Sequence, residues 1–134
     1  MADLTRFGIS IEKDLSDKFD KFIKDKNYTN RSEAIRDLVR DAFVKEAWKK
    51  NKNVSGAITM IYNHHQRTLV EKLISIQHDH SQCIVSSQHV HLNHHDCLEV
   101  VVVKGISREI QKLSDKLNSI KGVKHVSLAM ASAS

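Results

Sequence analysis

The sequence predicts an α+β chain built from two unlike parts. Within the first fifty residues a strand period is followed by two helical periods. Beyond them the periods run β-α-β-β-α-β, and all nine histidines lie after residue 63. Imidazole is the commonest metal-binding side chain, so the histidine asymmetry assigns two tasks to two segments. The expected boundary is the polar, basic run Lys49-Lys50-Asn51-Lys52-Asn53, giving domains 1–50 and 51–134.

In the first part, Arg6 to Ile11 alternates at the strand period. Phe7, Ile9 and Ile11 share one face, and Arg6, Gly8 and Ser10 the other. Leu15, Phe19, Phe22 and Ile23 recur at helical spacing, which predicts a helix over residues 13–26. Asn27 to Asn30 reads as a turn. Asn30 is placed to cap a second helix, with Glu33 where a capping box needs its carboxylate. Ala34, Ile35, Leu38, Val39, Ala42 and Phe43 give that helix an apolar face ending near Trp48.

One strand and two helices cannot close a good core alone, and a lone strand leaves both edges unpaired. Pairing with a twofold mate answers both problems, giving a two-stranded antiparallel ribbon over four helices, the ribbon-helix-helix plan. Such a ribbon fits the DNA major groove. Its outward face would present Arg6, Gly8 and Ser10 from each chain. Arg6 can bond guanine bidentately, and Ser10 can bond a base or a phosphate. The second helix opens with Asn30-Arg31-Ser32, whose free backbone N–H groups suit a phosphate and fix register without reading sequence. A dimerisation module with a polar ribbon face competes for the same pattern.

In the second part, Ala57 to Tyr62 is strand-like and Leu69 to Ile76 belongs to a helix. Ile84 to Leu92 is strand-like, Asn93 to Asp96 is a turn, and Leu98 to Val103 is a β-branched strand. Ile110, Leu113, Leu117 and Ile120 mark another helix, which Gly122 is expected to end. Val123 to Met130 makes a last strand, and Ala131 to Ser134 a frayed tail. This order is the split ferredoxin-like (ACT-like) plan.

Composition narrows the function classes. Apolar residues make up 40% and charged residues 28%, a globular balance. No apolar run reaches membrane-span length, and no signal-peptide pattern opens the chain. Two cysteines, Cys83 and Cys97, do not make a disulfide framework. A reducing cytoplasm is the expected setting. The formal charge of +5 is spread over both parts, so charge alone says little about nucleic acid.

His89-Val90-His91 is the sharpest motif. Residues two apart in a strand face one side, roughly 6.6 Å apart at Cα. Two imidazoles with bonds of about 2 Å to a metal can converge from there. Cys97 follows across a turn that folds the chain back, and its thiolate can join the same ion. His78 is the candidate fourth ligand. An extended run over residues 82–91 spans roughly 30 Å, which puts His78 at the far end and requires it to come from a neighbouring subunit. This set leaves the metal open: tetrahedral geometry would suit Zn(II), and square-planar geometry Ni(II) or Cu(II). Glu99 can orient a ligand or be simply solvated, and Tyr62 packs nearby. His64, His65, His80, His94, His95 and His125 are read as surface or turn histidines, with a weak second site near His78 and His80 a lesser option. Cys83 is read as a buried small hydrophobe.

Together, Asn30-Arg31-Ser32-Glu33-Ala34-Ile35-Arg36-Asp37, Gln77-His78, His89-Val90-His91 and His95-Asp96-Cys97-Leu98-Glu99 resemble the nickel-responsive regulator family, NikR, over about residues 4–130. The resemblance implies a homotetramer, two ribbon-helix-helix heads flanking a regulatory core. It implies one square-planar Ni(II) per subunit, held by His89, His91 and Cys97 of one chain and His78 of another. It implies a nickel-loaded repressor of nickel-uptake genes that binds a double-stranded operator. Relatives place a second cation between head and core, and the matching carboxylates here are Glu33 and Asp37. The chain departs from the family at Gly8, where a hydroxyl residue is common; either the operator differs or Arg6 and Ser10 carry more of the readout. After His65, Arg67 can offer charge to a phosphate.

Two other classes compete. A metalloenzyme needs an open coordination position, and four protein ligands in a square plane leave none, so no enzyme is expected. A metal storage or trafficking protein would use its first part only to dimerise, and would have no operator.

Overall fold

The computed structural model describes residues 3–132. The chain forms two compact units, divided between Asp41 and Ala42. The division falls inside the second helix, ahead of the expected boundary at residue 50, and its cause is packing. Val44, Ala47 and Trp48, in the last turns of that helix, pack into the core of the second unit.

In the first unit, helix α1 covers Lys13–Asp25, and helix α2 begins at Arg31 and runs to Lys49. Asn30 caps α2 as expected: its Oδ1 accepts the backbone N–H of Glu33 at 2.9 Å. The other half of the expected capping box does not form, because the Glu33 carboxylate takes the Arg36 guanidinium at 2.6 Å instead. The expected strand Arg6–Ile11 has no ladder, since one chain offers it no partner. Phe7 is 75% exposed and Leu15 51%, and no residue of α1 is buried.

The second unit holds strands β1 (Asn53–Asn63), β2 (Ile84–His91), β3 (Asp96–Ile106) and β4 (Lys124–Ala131), with helices α3 (Arg67–Asp79) and α4 (Ser107–Ser119). The sheet order is β2-β3-β1-β4, every neighbour antiparallel, which is the ferredoxin-like arrangement. The elements extend past the expected ends because ladder bonds continue into polar residues: Asn63 pairs with Asp96, and Ser55 with Ala131. Ala131 is thus in a strand, not a frayed tail; Ala133 and Ser134 lie outside the described residues. Helix α4 ends when Ile120 turns extended, and Gly122, at φ +101°, turns the chain afterwards rather than capping the helix.

Burial alternates along β3, with Cys97, Glu99, Val101 and Val103 inward. They meet Ile58, Met60 and Tyr62 of β1, under Leu73 of α3 and Ile110, Leu113 and Leu117 of α4. The expected linker is pinned: Lys52 N–H donates to Ala47 at 3.1 Å, and Ser107 N–H to Lys52 at 3.1 Å. Trp48 Nε1 donates to the Ala131 carbonyl at 3.1 Å. Gly56 makes room for this. A Cβ there would stand 2.6 Å from the Ala129 oxygen and 3.4 Å from the indole. Among the described residues no helix is long and apolar enough to cross a membrane.

Candidate metal centre and nucleic-acid interface

The β2–β3 register sets the centre. His91 pairs with Cys97 and His89 with Glu99, while Tyr62 of β1 pairs with Cys97 from the other side. Cross-strand partners share a face, so all five side chains leave the sheet on the side that carries the core. β2 is an edge strand, so His89 and His91 are exposed while Cys97 and Glu99 are only 1% exposed. The Cys97 Sγ lies 4.0 Å from His89 Nδ1.

Glu99 is not a solvated glutamate. Its carboxylate accepts the Tyr62 hydroxyl at 2.8 Å and the Gln77 amide at 3.1 Å, and stands 3.4 Å from His89 Nε2. The Tyr62 oxygen also lies 3.2 Å from His89 Nδ1. Burial, with the hydrogen bond to Glu99, pushes the Tyr62 phenol well above its ordinary range and keeps it neutral. Glu99 can therefore hold the proton of His89 Nε2, the support a metal-ligating imidazole ordinarily has, and Nδ1 then faces the Tyr62 oxygen and the Cys97 sulfur. Gln77 was given no role in the sequence. Its only signal is its position beside His78, and its side chain joins the network through the fold.

His78 is exposed on the last turn of α3. From the residue before it, the Gln77 side chain reaches Glu99, the partner of His89 in the β2–β3 ladder. His91 does not meet His89; its ring stacks on His64, with centroids 4.5 Å apart and planes 5° apart. Burial, then the neighbouring imidazoles, hold His64 below the ordinary histidine range. Among the described residues, the trio whose donor atoms all lie within 4.8 Å is His65, His94 and His95. His80, read as a surface residue, is buried, its Nδ1 donating to the Ile76 carbonyl at 3.0 Å. Cys83 is buried as expected, and burial pushes its thiol up.

In the first unit, Arg6 lines a cleft with Phe7 and Ile9 on one side and Ser32, Ile35 and Arg36 of α2 on the other. Gly8 and Ser10 are exposed. The Arg31 guanidinium holds the Asp20 carboxylate of α1 with bonds of 2.9 and 2.8 Å, which leaves the expected phosphate contact to the backbone N–H groups at the start of α2. That bond keeps Asp20 below the ordinary carboxylate range. The carboxylates of the second cation pair are engaged separately: Glu33 takes Arg36, and Asp37 takes the Tyr28 hydroxyl at 2.8 Å. In the second unit, Arg67 is the first residue of α3 rather than part of a loop, and is exposed.

Comparison with known proteins agrees with both halves. The NikR C-terminal nickel-binding domain matches residues 55–131, and the ribbon-helix-helix protein, copG family, matches residues 5–46. A relative from Syntrophus aciditrophicus is 55% identical over 98% of this chain and 96% of its own. One from Chlorobium phaeobacteroides is 48% identical over 99% of both. One from Pyrococcus furiosus is 51% identical over 95% of this chain and 93% of its own. Each is provisionally named a nickel-responsive regulator. An uncharacterized protein of Thermotoga maritima shares the fold at 19% identity and TM-score 0.53, covering 59% of this chain and 98% of the other. A donor set of imidazoles and one buried thiolate, ringed by Glu99, Tyr62 and Gln77, fits the ion these matches imply. The chain therefore belongs to the nickel-responsive regulator family, joining a ribbon-helix-helix DNA-binding unit to a nickel-binding domain, and is a regulator rather than an enzyme.

Proposed function

We propose that this chain is a cytoplasmic repressor of nickel uptake that binds its operator when loaded with one Ni(II) per subunit. His89, His91 and Cys97 would hold the ion, and His78 of the partner subunit would close a square plane. The observation that carries this reading is the fixing of His89 between Tyr62 and the buried Glu99, beside the buried Cys97 thiol. An exposed edge-strand histidine gains such support only at an energetic cost, since Glu99 must be desolvated. Turning His91 from its stack on His64 brings a second imidazole to the same hairpin.

Assembly supports the same reading. The first unit leaves Leu4, Phe7, Ile9, Leu15, Leu38 and Val39 exposed, a face that a second copy would cover. A ribbon formed that way would present Arg6, Gly8 and Ser10 to the major groove, with Asn30, Ser32 and Arg67 near phosphates. The outer sheet face of the second unit leaves Val90 and Val102 about two-fifths exposed, which fits a dimer of dimers. Domains 1–50 and 51–134 remain the functional division, and Glu33 with Asp37 a second cation pair formed on assembly.

The test is a Ni(II) titration read by thiolate-to-nickel absorption. Cys97→Ala and His78→Ala should each abolish tight binding. Mixing the two inactive variants should restore part of it, because a hairpin from one chain then meets an imidazole from the other. No recovery on mixing would contradict a site shared between subunits.

A further inference from the structure

Three histidines outside the proposed nickel set converge on one spot. His65 follows β1, while His94 and His95 sit in the turn between β2 and β3, and their donor atoms lie within 4.8 Å of one another. All three are exposed. Exposure permits the small rotations needed to bring three nitrogens to about 2 Å from one ion.

The backbone beneath them is built. The His64 N–H donates to the His95 carbonyl at 3.1 Å and ties the two turns together. Asn63 Oδ1 accepts the His65 N–H at 2.9 Å. Asn93 Oδ1 accepts the N–H groups of His95 and Asp96, both at 2.9 Å. Both turns are thus locked by an asparagine side chain two residues before a histidine.

The His65 ring is already oriented. Its Nε2 lies 2.9 Å from the His94 carbonyl, which can only accept, so Nε2 carries the proton. Nδ1 is then left with its lone pair, and the carbonyl bond is the support that metal-binding imidazoles ordinarily have. The other rings stand close: His65 to His94 is 5.4 Å between centroids, and His94 to His95 is 4.9 Å.

We propose that His65, His94 and His95 form a second metal site that takes a borderline divalent ion of the Ni(II), Zn(II) or Cu(II) class, completed by water. Three neutral nitrogens select this class over Mg(II) or Ca(II), which demand oxygen. Without a thiolate the site is weaker than one containing Cys97. A bound ion would clamp the turn after β1 to the turn joining His91 and Cys97, stiffening the hairpin. None of this depends on nickel at the hairpin itself.

Full-length protein is titrated with Ni(II) alone. Bound ions are counted by equilibrium dialysis while thiolate-to-nickel absorption is followed. A second ion per chain should bind more weakly and add no thiolate absorption. The variant carrying His65→Gln, His94→Gln and His95→Gln should lose that silent ion and keep the absorption. Its affinity loss should exceed the roughly 10–100-fold typical when only a supporting group is removed. Cys97→Ser should do the opposite, losing the absorption and keeping the silent ion. In wild-type protein, Zn(II) should shift the ring protons of His65, His94 and His95 together, a readout that needs no variant. Retention of the silent ion by the triple variant, or no ion beyond the thiolate-linked one in wild type, overturns the proposal. Failure of the nickel reading looks different: the silent ion binds, but no thiolate absorption appears.

Discussion

The two units solve the problem of burial in opposite ways. Fourteen buried residues, from β1, α3, β3, α4, the end of α2 and the turn after α4, close the core of the second unit within one chain. In the first unit, Ala34 is the one buried apolar side chain among the described residues, while Phe7, Ile9, Leu15 and Leu38 stand open. A region that completes its core alone can hold a site rigid. A region that cannot must borrow a partner, and its geometry can then answer to what happens elsewhere in the assembly. The proposed metal ligands lie on the first kind of surface, the proposed base-reading residues on the second.

Truncation should separate the two most sharply. Leu113→Ala, at a fully buried position, should cost about 2–5 kcal/mol in urea unfolding. Phe7→Ala should leave the second unit's unfolding within about 0.5 kcal/mol. It should instead raise the concentration at which the chain dissociates, seen by sedimentation. Equal effects of the two in unfolding would erase the distinction.

Smaller changes sharpen it. Glu99→Ala strands the Tyr62 hydroxyl and the Gln77 amide, and should cost about 1–3 kcal/mol of stability. It should also weaken Ni(II) binding by roughly 10–100-fold. Asn30→Ala removes the α2 cap and should cost about 1 kcal/mol, expressed in weaker association if the proposed pairing with a mate completes the first unit.

Alkaline pH gives the mildest probe. The Tyr62 phenol titrates above its ordinary value of 10.0 in the folded chain, so the folded state holds that proton more tightly than the unfolded one. Its contribution is complete below pH 10 and is lost as pH rises beyond it. The stability of Tyr62→Phe, followed by circular dichroism, should fall less steeply there than that of wild type.

Periodicity made nearly all of the fold legible. The β-branched run at Leu98 to Val103 and the helical spacing of Ile110, Leu113 and Leu117 led directly to β3 and α4. Arg6 to Ile11 read as a strand because alternation reports a face to be buried, not whether one chain supplies the ladder. The pairing of His91 with Cys97, and the nearness of His89 to Cys97, were legible because a hairpin makes near neighbours in sequence near neighbours in space. Gln77 was not, because it reaches Glu99 only through the tilt of α3 across the sheet. The His65, His94 and His95 trio was hidden for the same reason, depending on two turns meeting through the His64–His95 backbone bond. The Arg31–Asp20 pair was not legible either, because it joins two helices across the turn between them.

The central claim is that an ion held by the self-sufficient unit governs DNA binding by the dependent one. A gel shift on a natural operator, with and without Ni(II), tests it most directly in wild type and in Cys97→Ala. Nickel should raise the affinity of wild type by the roughly 5–150-fold usual for coupled sites, and leave Cys97→Ala unchanged. Equal operator affinity for wild type in both conditions would contradict the claim.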